Sequence, residues 1–213
     1  MIKAIIFDFD GVIFDSEILH QKAWEKVFEK FEIAHSADDY LKGIGISDED
    51  FLKQLLKEKK IFGDINDFLK EKREKLLELS TQAKPIDGIF QLIQQLHTNY
   101  MLAVASNSDK KFVMKLLEIN KLVKFFSVIL GYQDISKPKP DPEIYIKCAR
   151  KLGVSNNECV VIEDSPAGIK AAKKAGMKCI ALETTLDENN LMQADFVIKK
   201  HQINKIKELI NLG

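Results

Sequence analysis

Ala4-Ile5-Ile6-Phe7-Asp8-Phe9-Asp10-Gly11-Val12 is the stretch that decides the fold. Its apolar run of β-branched and aromatic residues predicts a buried strand. The run ends in two carboxylates, and a glycine follows. Carboxylates are normally kept out of buried strand ends, because burying an unpaired charge is costly. With one residue between them, Asp8 and Asp10 point to the same side wherever extended geometry persists. Their spacing is then roughly 6–7 Å, at about 3.3 Å per residue. A gap of that size holds a phosphoryl group or a metal ion. A solvated strand-to-loop junction gives the same local pattern, so the rest of the chain must choose.

Beyond Val12 the periodicity changes. Ile18, Leu19, Ala23, Trp24, Val27, Phe28 and Phe31 recur at helical spacing, and Ser16 is placed as the N-cap. Gly43-Ile44-Gly45 breaks the pattern. Ser47-Asp48-Glu49-Asp50 reads as a capping-box variant, followed by Phe51, Leu52, Leu55 and Leu56 at helical spacing. A charged helix is predicted from about Asp67 to Leu79. From Pro85 onward, strands alternate with helices. Met101–Ala105, Phe126–Leu130, Cys159–Ile162, Met177–Leu182 and Phe196–Ile198 are predicted strands. Helices are predicted at Gly88–Leu96, Asp109–Ile119, after Asp141-Pro142, after Ser165-Pro166, and from Gln202 to Leu212. This alternation predicts an α/β fold with a doubly wound, parallel, Rossmann-like sheet. The helical stretch interrupts it after the first strand. The expected division is a discontinuous core of residues 1–15 and 82–213, with an all-helical insert at 16–81.

Bulk composition excludes several classes. At 213 residues the chain can bury one good core and a smaller second unit. Its 32 basic and 32 acidic residues cancel, so long-range charge favours neither nucleic acid nor an anionic membrane. No apolar run approaches a membrane span, and the first strand is not a signal-peptide pattern. Cys148, Cys159 and Cys179 are odd in number and scattered in apolar contexts, which predicts reduced core residues in a cytoplasmic protein. The four histidines show no metal-ligand spacing. A monomer is the default expectation.

In open parallel sheets, ligands bind beyond the carboxyl ends of the strands. Polar residues stand at four such places: Asp8 with Asp10, Ser106, Lys137 in a strand-following loop, and Glu163 with Asp164. Singly, each has a plain structural explanation, as a helix cap, an exposed loop lysine or a negatively charged helix start. Their succession at strand ends is what those explanations leave out. Together they can hold a hard cation on the carboxylates and phosphate oxygens on the lysine and hydroxyl. Backbone N–H groups in the turns after Asp8 (Phe9, Gly11) and after Ser106 (Asn107) add anion contacts.

These motifs resemble the haloacid dehalogenase superfamily, in its phosphatase and beta-phosphoglucomutase-like branch. Asp8-Phe9-Asp10-Gly11-Val12 is similar to the first motif, Ser106 to the second, and Lys137 in Ser136-Lys137-Pro138 to the third. Val161-Ile162-Glu163-Asp164-Ser165-Pro166-Ala167-Gly168-Ile169 is similar to the fourth. The insert falls where that branch carries a helical cap. The resemblance implies an Mg²⁺-dependent phosphomonoester hydrolase acting on a small phosphorylated molecule such as a sugar phosphate. Asp8 would be the nucleophile, forming an aspartyl-phosphate, and Asp10 the general acid and base. Ser106 and Lys137 would hold the phosphoryl oxygens. Asp8, the Asp10 carbonyl, Asp164 and Glu163 (directly or through water) would hold the metal. The dehalogenase and phosphonate-cleaving branches lack an aspartate at the position of Asp10.

Asp15-Ser16-Glu17 and His20 are similar to the mutase pattern, in which a histidine orients the acid/base aspartate. Two departures count against a hexose-phosphate mutase, which must also grip a second phosphate. The mutase's cap arginine aligns with Asp48, and the lysine after its second-motif serines aligns with Asp109, although Lys110 is adjacent. A carboxylate 4 Å from a phosphate charge costs about 4 kcal/mol per unit-charge pair at an effective dielectric near 20. Lys72, Arg73 or Lys75 are the residues placed to offset it. A phosphatase is therefore the expected activity, with a mutase as first alternative and a non-catalytic ligand-binding module on the same fold as second.

Overall fold

The computed structural model describes residues 1–36, 39–40, 43, 46–184 and 186–210. Ile44 and Gly45 of the glycine break, and Leu212 at the end of the last predicted helix, lie outside the described residues.

β1 (Ala4–Phe7) is the centre of the molecule. It pairs in parallel with β4 (Met101–Ala105) on one side and β6 (Cys159–Glu163) on the other. β5 (Val128–Leu130) extends the sheet beyond β4. β7 (Lys178–Glu183) and β8 (Phe196–Lys199) extend it beyond β6, giving the order β5-β4-β1-β6-β7-β8. All five pairings are parallel, so all carboxyl ends lie on one edge.

Side-chain alternation along β1 divides the core into two layers. Ile5 and Phe7 face one layer with Val104, Val160 and Ile180. There they meet α4 (Ile89–Leu96), α5 (Lys110–Ile119) and α9 (Ile206–Ile210). Ala4 and Ile6 face the other layer, whose strand residues include the small Ala103, Ala105, Cys159, Cys179 and Ala181 beside Leu130 and Val161. That face packs α6 (Glu143–Leu152) and α7 (Pro166–Lys174), which offer Cys148, Ala149, Ala171 and Ala172 in return. The three cysteines are free and buried. No helix among the described residues is long and apolar enough to cross a membrane.

Two short strands escape the sequence reading. β2 (Phe14–Asp15) and β3 (Lys84–Pro85) pair antiparallel at the two crossings between core and insert. Two residues carry no measurable periodicity, so only the pairing reveals them. Within the insert, α1 (Glu17–Lys30), α2 (Asp48–Lys59) and α3 (Ile65–Leu79) surround a separate apolar cluster. Trp24, the only tryptophan, stacks on Phe28 with centroids 5.3 Å apart and meets Phe51 edge-on. Ser47 caps α2 as expected, accepting the Asp50 N–H and donating to the Asp50 carboxylate. Ser16 precedes α1 but makes no side-chain cap. A four-residue helix, α8 (Glu188–Leu191), is also missed, being too short to show a period.

Because Trp24 packs in the insert's apolar cluster and borders the site cavity, its emission reports the packing of that region. Phe28→Ala is expected to cost about 3–5 kcal/mol. Urea denaturation followed by tryptophan emission and by far-ultraviolet circular dichroism checks this. The emission midpoint should fall, with at most a smaller shift in the dichroism midpoint. An unshifted emission midpoint would contradict the packing described.

Candidate active site

The sheet edge gathers Asp8, Asp10, Ser106, Glu163 and Asp164 as the sequence led us to expect. The Asp8 N–H still bonds to the Ile162 carbonyl at 2.9 Å, so Asp8 leaves the end of the ladder in fixed register. At Asp10 the chain turns. Gly11 adopts φ +72°, a left-handed conformation that favours glycine, and its N–H closes the turn on the Phe14 carbonyl at 2.7 Å. That N–H is therefore spent within the turn, which corrects its expected role as a phosphate donor. Phe9 is fully buried, and its ring packs against Phe14 and Phe112.

The lysine is the main correction. Lys137 is exposed, and its backbone N–H is held by Glu143 at 2.8 Å. Lys139, two residues on, sends its ammonium into the site. It lies 2.7 Å from an Asp8 oxygen and 2.7 Å from a Glu163 oxygen. Three anchors account for the choice. Glu143 takes the Ser136 and Lys137 N–H groups, and Lys147 first, then these backbone donors, pull its carboxyl down to about 2. Asn107 accepts the Lys139 N–H at 3.1 Å and reaches the Lys139 carbonyl at 3.5 Å. Tyr145 places its ring 4.9 Å from the ammonium. Asn107 thus positions the lysine's backbone.

Glu163 is fully buried and saturated with protein donors. One oxygen accepts Lys139 and, at 2.6 Å, the Tyr145 hydroxyl. The other accepts the Asp164 and Ser165 N–H groups and the Ser165 hydroxyl, at 2.9, 3.0 and 3.0 Å. Helix α7 runs so close that a Cβ on Gly168 would lie 1.6 Å from Glu163 Oε1. Glu163 was expected at the metal either directly or through water; its ligand oxygen lies in one acidic group with those of Asp8 and Asp164, and its protein donors leave direct contact the less favoured of the two. Its carboxylate also orients Lys139 and the Asp164 turn.

Asp10 sits among hydroxyls. Ser16 donates to Oδ1 at 2.5 Å, Ser108 to Oδ2 at 2.6 Å, and Ser106 to Oδ2 at 3.2 Å. Ser106 also accepts the Ser108 N–H at 2.9 Å. Ser16 and Ser108 were missed as site residues. Ser16 was assigned to the α1 cap, although its place six residues after Asp10 and just before the cap helix was the available signal. His20 Nε2 lies 3.3 Å from Asp10 Oδ1, and His20 Nδ1 lies 2.8 Å from the Lys72 ammonium. An ammonium only donates, so Nδ1 accepts and Nε2 carries the proton. Lys72 in turn pairs with Asp48 at 2.6 Å, and the Trp24 indole N–H donates to Asp48 at 3.3 Å. Of the offsetting cations considered, Lys72 is the one that meets Asp48. Lys110 pairs with Asp134 at 2.9 Å, and Arg73 approaches Asp109 at 4.0 Å.

The site's carboxylates outnumber its cations, so it favours either a proton on Asp8 or a further cation. Ligand atoms of Asp8, Glu163 and Asp164 all lie within 4.8 Å of one another. Burial, then repulsion from Glu163, pushes Asp8 up to about 8 against the pull of Lys139. Burial works to lower Lys139, but Asp8 and Glu163 outweigh it and keep the ammonium charged. At Asp10, burial works to raise the carboxyl, but His20, Ser108 and Ser16 outweigh it and hold it well below the usual range. A divalent cation on Asp8 and Asp164 fits this excess of buried negative charge.

A Haloacid dehalogenase-like hydrolase family model matches residues 5–182. The chain is 29% identical over 215 residues to the phosphorylated carbohydrates phosphatase of Thermotoga maritima, with 98% of this chain and 100% of that one covered. It is 32% identical over 211 residues to the beta-phosphoglucomutase of Bacillus subtilis, covering 93% of this chain and 89% of that one. The crystal structure of beta-phosphoglucomutase from Clostridium difficile superposes with a TM-score of 0.87 at 27% identity, covering 99% and 98%.

The raised Asp8 carboxyl makes a stability prediction with a definite sign. The folded protein holds a proton that the unfolded chain releases near 3.8, so this stabilisation is lost as pH rises through about 8. A cation competes with that proton. The rise in melting temperature caused by Mg²⁺ over a chelator control is therefore expected to grow from pH 6 to pH 8.5. Asp8→Asn should flatten the trend. An Mg²⁺ shift that is absent, or larger at pH 6, would refute the cation site.

Proposed function

Because the chain belongs to the haloacid dehalogenase-like hydrolase family, we propose that it is an Mg²⁺-dependent phosphatase of small phosphomonoesters such as sugar phosphates. The observation that carries this reading is the second carboxylate. Asp10 stands in one cavity with Asp8, Lys139 and Asp164, held by Ser16, Ser108 and His20. A reaction that expels an alcohol needs a proton donor for the leaving oxygen, and a carboxyl beside the nucleophile can supply it.

In this mechanism the substrate complex carries its proton on Asp10 and not on Asp8: an oxygen of the Asp8 carboxylate attacks phosphorus and the bond to the ester oxygen breaks. Asp10 gives that proton to the ester oxygen, which leaves as the alcohol. Asp10, now a carboxylate, takes a proton from water as the water oxygen attacks the aspartyl-phosphate. Inorganic phosphate departs and Asp8 is regenerated. The hydroxyls and His20 around Asp10 favour the carboxylate, the form required in the second half. Lys139 neutralises charge on the transferring group and holds Asp8 in line. Mg²⁺, held by Asp8, Asp164 and the Asp10 carbonyl, would supply further stabilisation of the phosphoryl charge. The insert at 16–81, taken as the cap, brings His20 and Asp48 over this site and would select the leaving group.

The mutase reading is kept because the His20–Asp10 contact is shared with it in the resemblance above. Phosphate release from a panel of phosphomonoesters, with and without Mg²⁺ and including beta-glucose 1-phosphate, separates the two. Mg²⁺-dependent release is expected, and Asp8→Asn should abolish it. Conversion of beta-glucose 1-phosphate to glucose 6-phosphate with a bisphosphate primer, without release from any ester, would establish the mutase instead.

The two lysines give a sharper check. Lys139→Ala is expected to lower kcat by about 10²–10³-fold, in the range for losing one fixed charge donor. Lys137→Ala should stay within roughly threefold, as expected of an exposed side chain away from the site. The reverse order would return the role to Lys137.

A further inference from the structure

The cavity between core and insert encloses about 120 Å³. Its charges are lopsided. Among the described residues that line it, Asp8, Asp10, Glu17, Asp48 and Asp164 are carboxylates, and Lys139 is the sole lysine or arginine. Lys139 is committed to Asp8 and Glu163. His20 is committed to Asp10 and Lys72. One phosphoryl group is provided for on the core side. Away from it, the wall presents Glu17 and Asp48.

Asp48 has a cation partner, but the order of the two charges matters. Lys72 is 1% exposed and lies behind the carboxylate, whereas the Asp48 side chain is 39% exposed. A ligand in the cavity therefore meets the carboxylate first. Burial works to raise Asp48, but Lys72 and His20 outweigh it, so it is ionised near neutrality. Each of its oxygens has one protein donor, Trp24 or Lys72, leaving acceptor capacity toward the cavity. On the Glu17 side, the Tyr40 hydroxyl donates to the carboxylate and to the Glu17 carbonyl. This wall offers acceptors and negative charge, which suits hydroxyl or ammonium donors on a leaving group. A second phosphate or a carboxylate there is repelled.

Building on the phosphatase reading, we infer that Asp48 is a specificity-determining residue. It selects phosphomonoesters whose leaving group is a neutral polyol or carries an amine, and it excludes bisphosphates. Lys72 shares its charge between Asp48 and His20, so the same cation that holds the filter also positions the histidine facing Asp10.

The test uses the Mg²⁺-loaded full chain turning over p-nitrophenyl phosphate. Three competitors share one pyranose ring: glucosamine 6-phosphate, glucose 6-phosphate and glucose 1,6-bisphosphate. Inhibition constants are expected to rise in that order, by roughly tenfold between the last two. Asp48→Asn should shrink the bisphosphate-to-monophosphate ratio by about threefold or more. A ratio of inhibition constants within one variant cancels any loss of turnover caused by disturbing Lys72. Asp67→Asn, an acid in the first turn of α3 outside the cavity, should leave the ratio unchanged. Bisphosphate binding as tight as glucose 6-phosphate, or a ratio unmoved in Asp48→Asn, would overturn the inference. Absence of any Mg²⁺-dependent p-nitrophenyl phosphate turnover would instead remove the phosphatase reading, and the inference with it.

Discussion

The buried ion triad Asp8–Lys139–Glu163 is the constraint around which the site is arranged. Burying two carboxylates and an ammonium is costly, and removing one partner from such a group typically costs about 3–5 kcal/mol. The surrounding structure therefore has to satisfy every remaining lone pair. Tyr145 and the Ser165 turn do this for Glu163. Gly168 gives the helix room to approach, since any Cβ there would collide with the carboxylate. Asn107 and Glu143 fix the loop that delivers the lysine. The result is a rigid floor on which Asp8 has one orientation, whichever molecule arrives above it.

A second chain of contacts ties the insert to the core. It runs from Asp10 through His20 and Lys72 to Asp48, with Trp24 bracing the far end. Each link is a donor meeting an acceptor, and the fixed donor character of Lys72 sets the tautomer of His20. The proton-handling carboxylate and the leaving-group wall are thus electrically continuous. Tyr132 of the core also donates to Glu49 of α2 at 3.0 Å, a second bond across the same cleft. The insert is seated on the site by these polar contacts together with Leu19, Ala23, Leu76 and Leu79, which pack into the main core cluster.

Much of the fold was legible because apolar periodicity changes sharply at Val12 and again near Pro85. Helix caps at Ser47 and Ser165 were also readable from residue type, whereas the Asp109 cap was not singled out. The acids at the strand ends were legible because carboxylates there need a reason. What was not legible depended on long-range partners. Spacing alone does not separate Lys137 from Lys139; Glu143, Asn107 and Tyr145 distinguish them. Ser16 reads locally as an N-cap, yet its hydroxyl is claimed by Asp10. Glu163 reads equally as a direct or a water-bridged ligand until its donors are counted. The Asp48–Lys72 pair spans 24 residues of sequence and two helices, so the sequence offered Lys72, Arg73 and Lys75 alike and only the packing chose Lys72.

The place of β1 in the sheet has a consequence for how the chain is made. Its neighbours begin at Met101 and Cys159, so the first strand waits through nearly half of synthesis before the first of them arrives. Until then four apolar residues at the centre of the future core have nothing to pair with. The insert, whose contacts join α1, α2 and α3 over a much shorter span, can organise earlier. Its two ends are brought together at the β2–β3 ribbon, so a folded insert also shortens the effective loop that separates β1 from its partners. A segment that crowns the finished active site thereby also closes, at its own base, the gap between the central strand and the rest of the sheet.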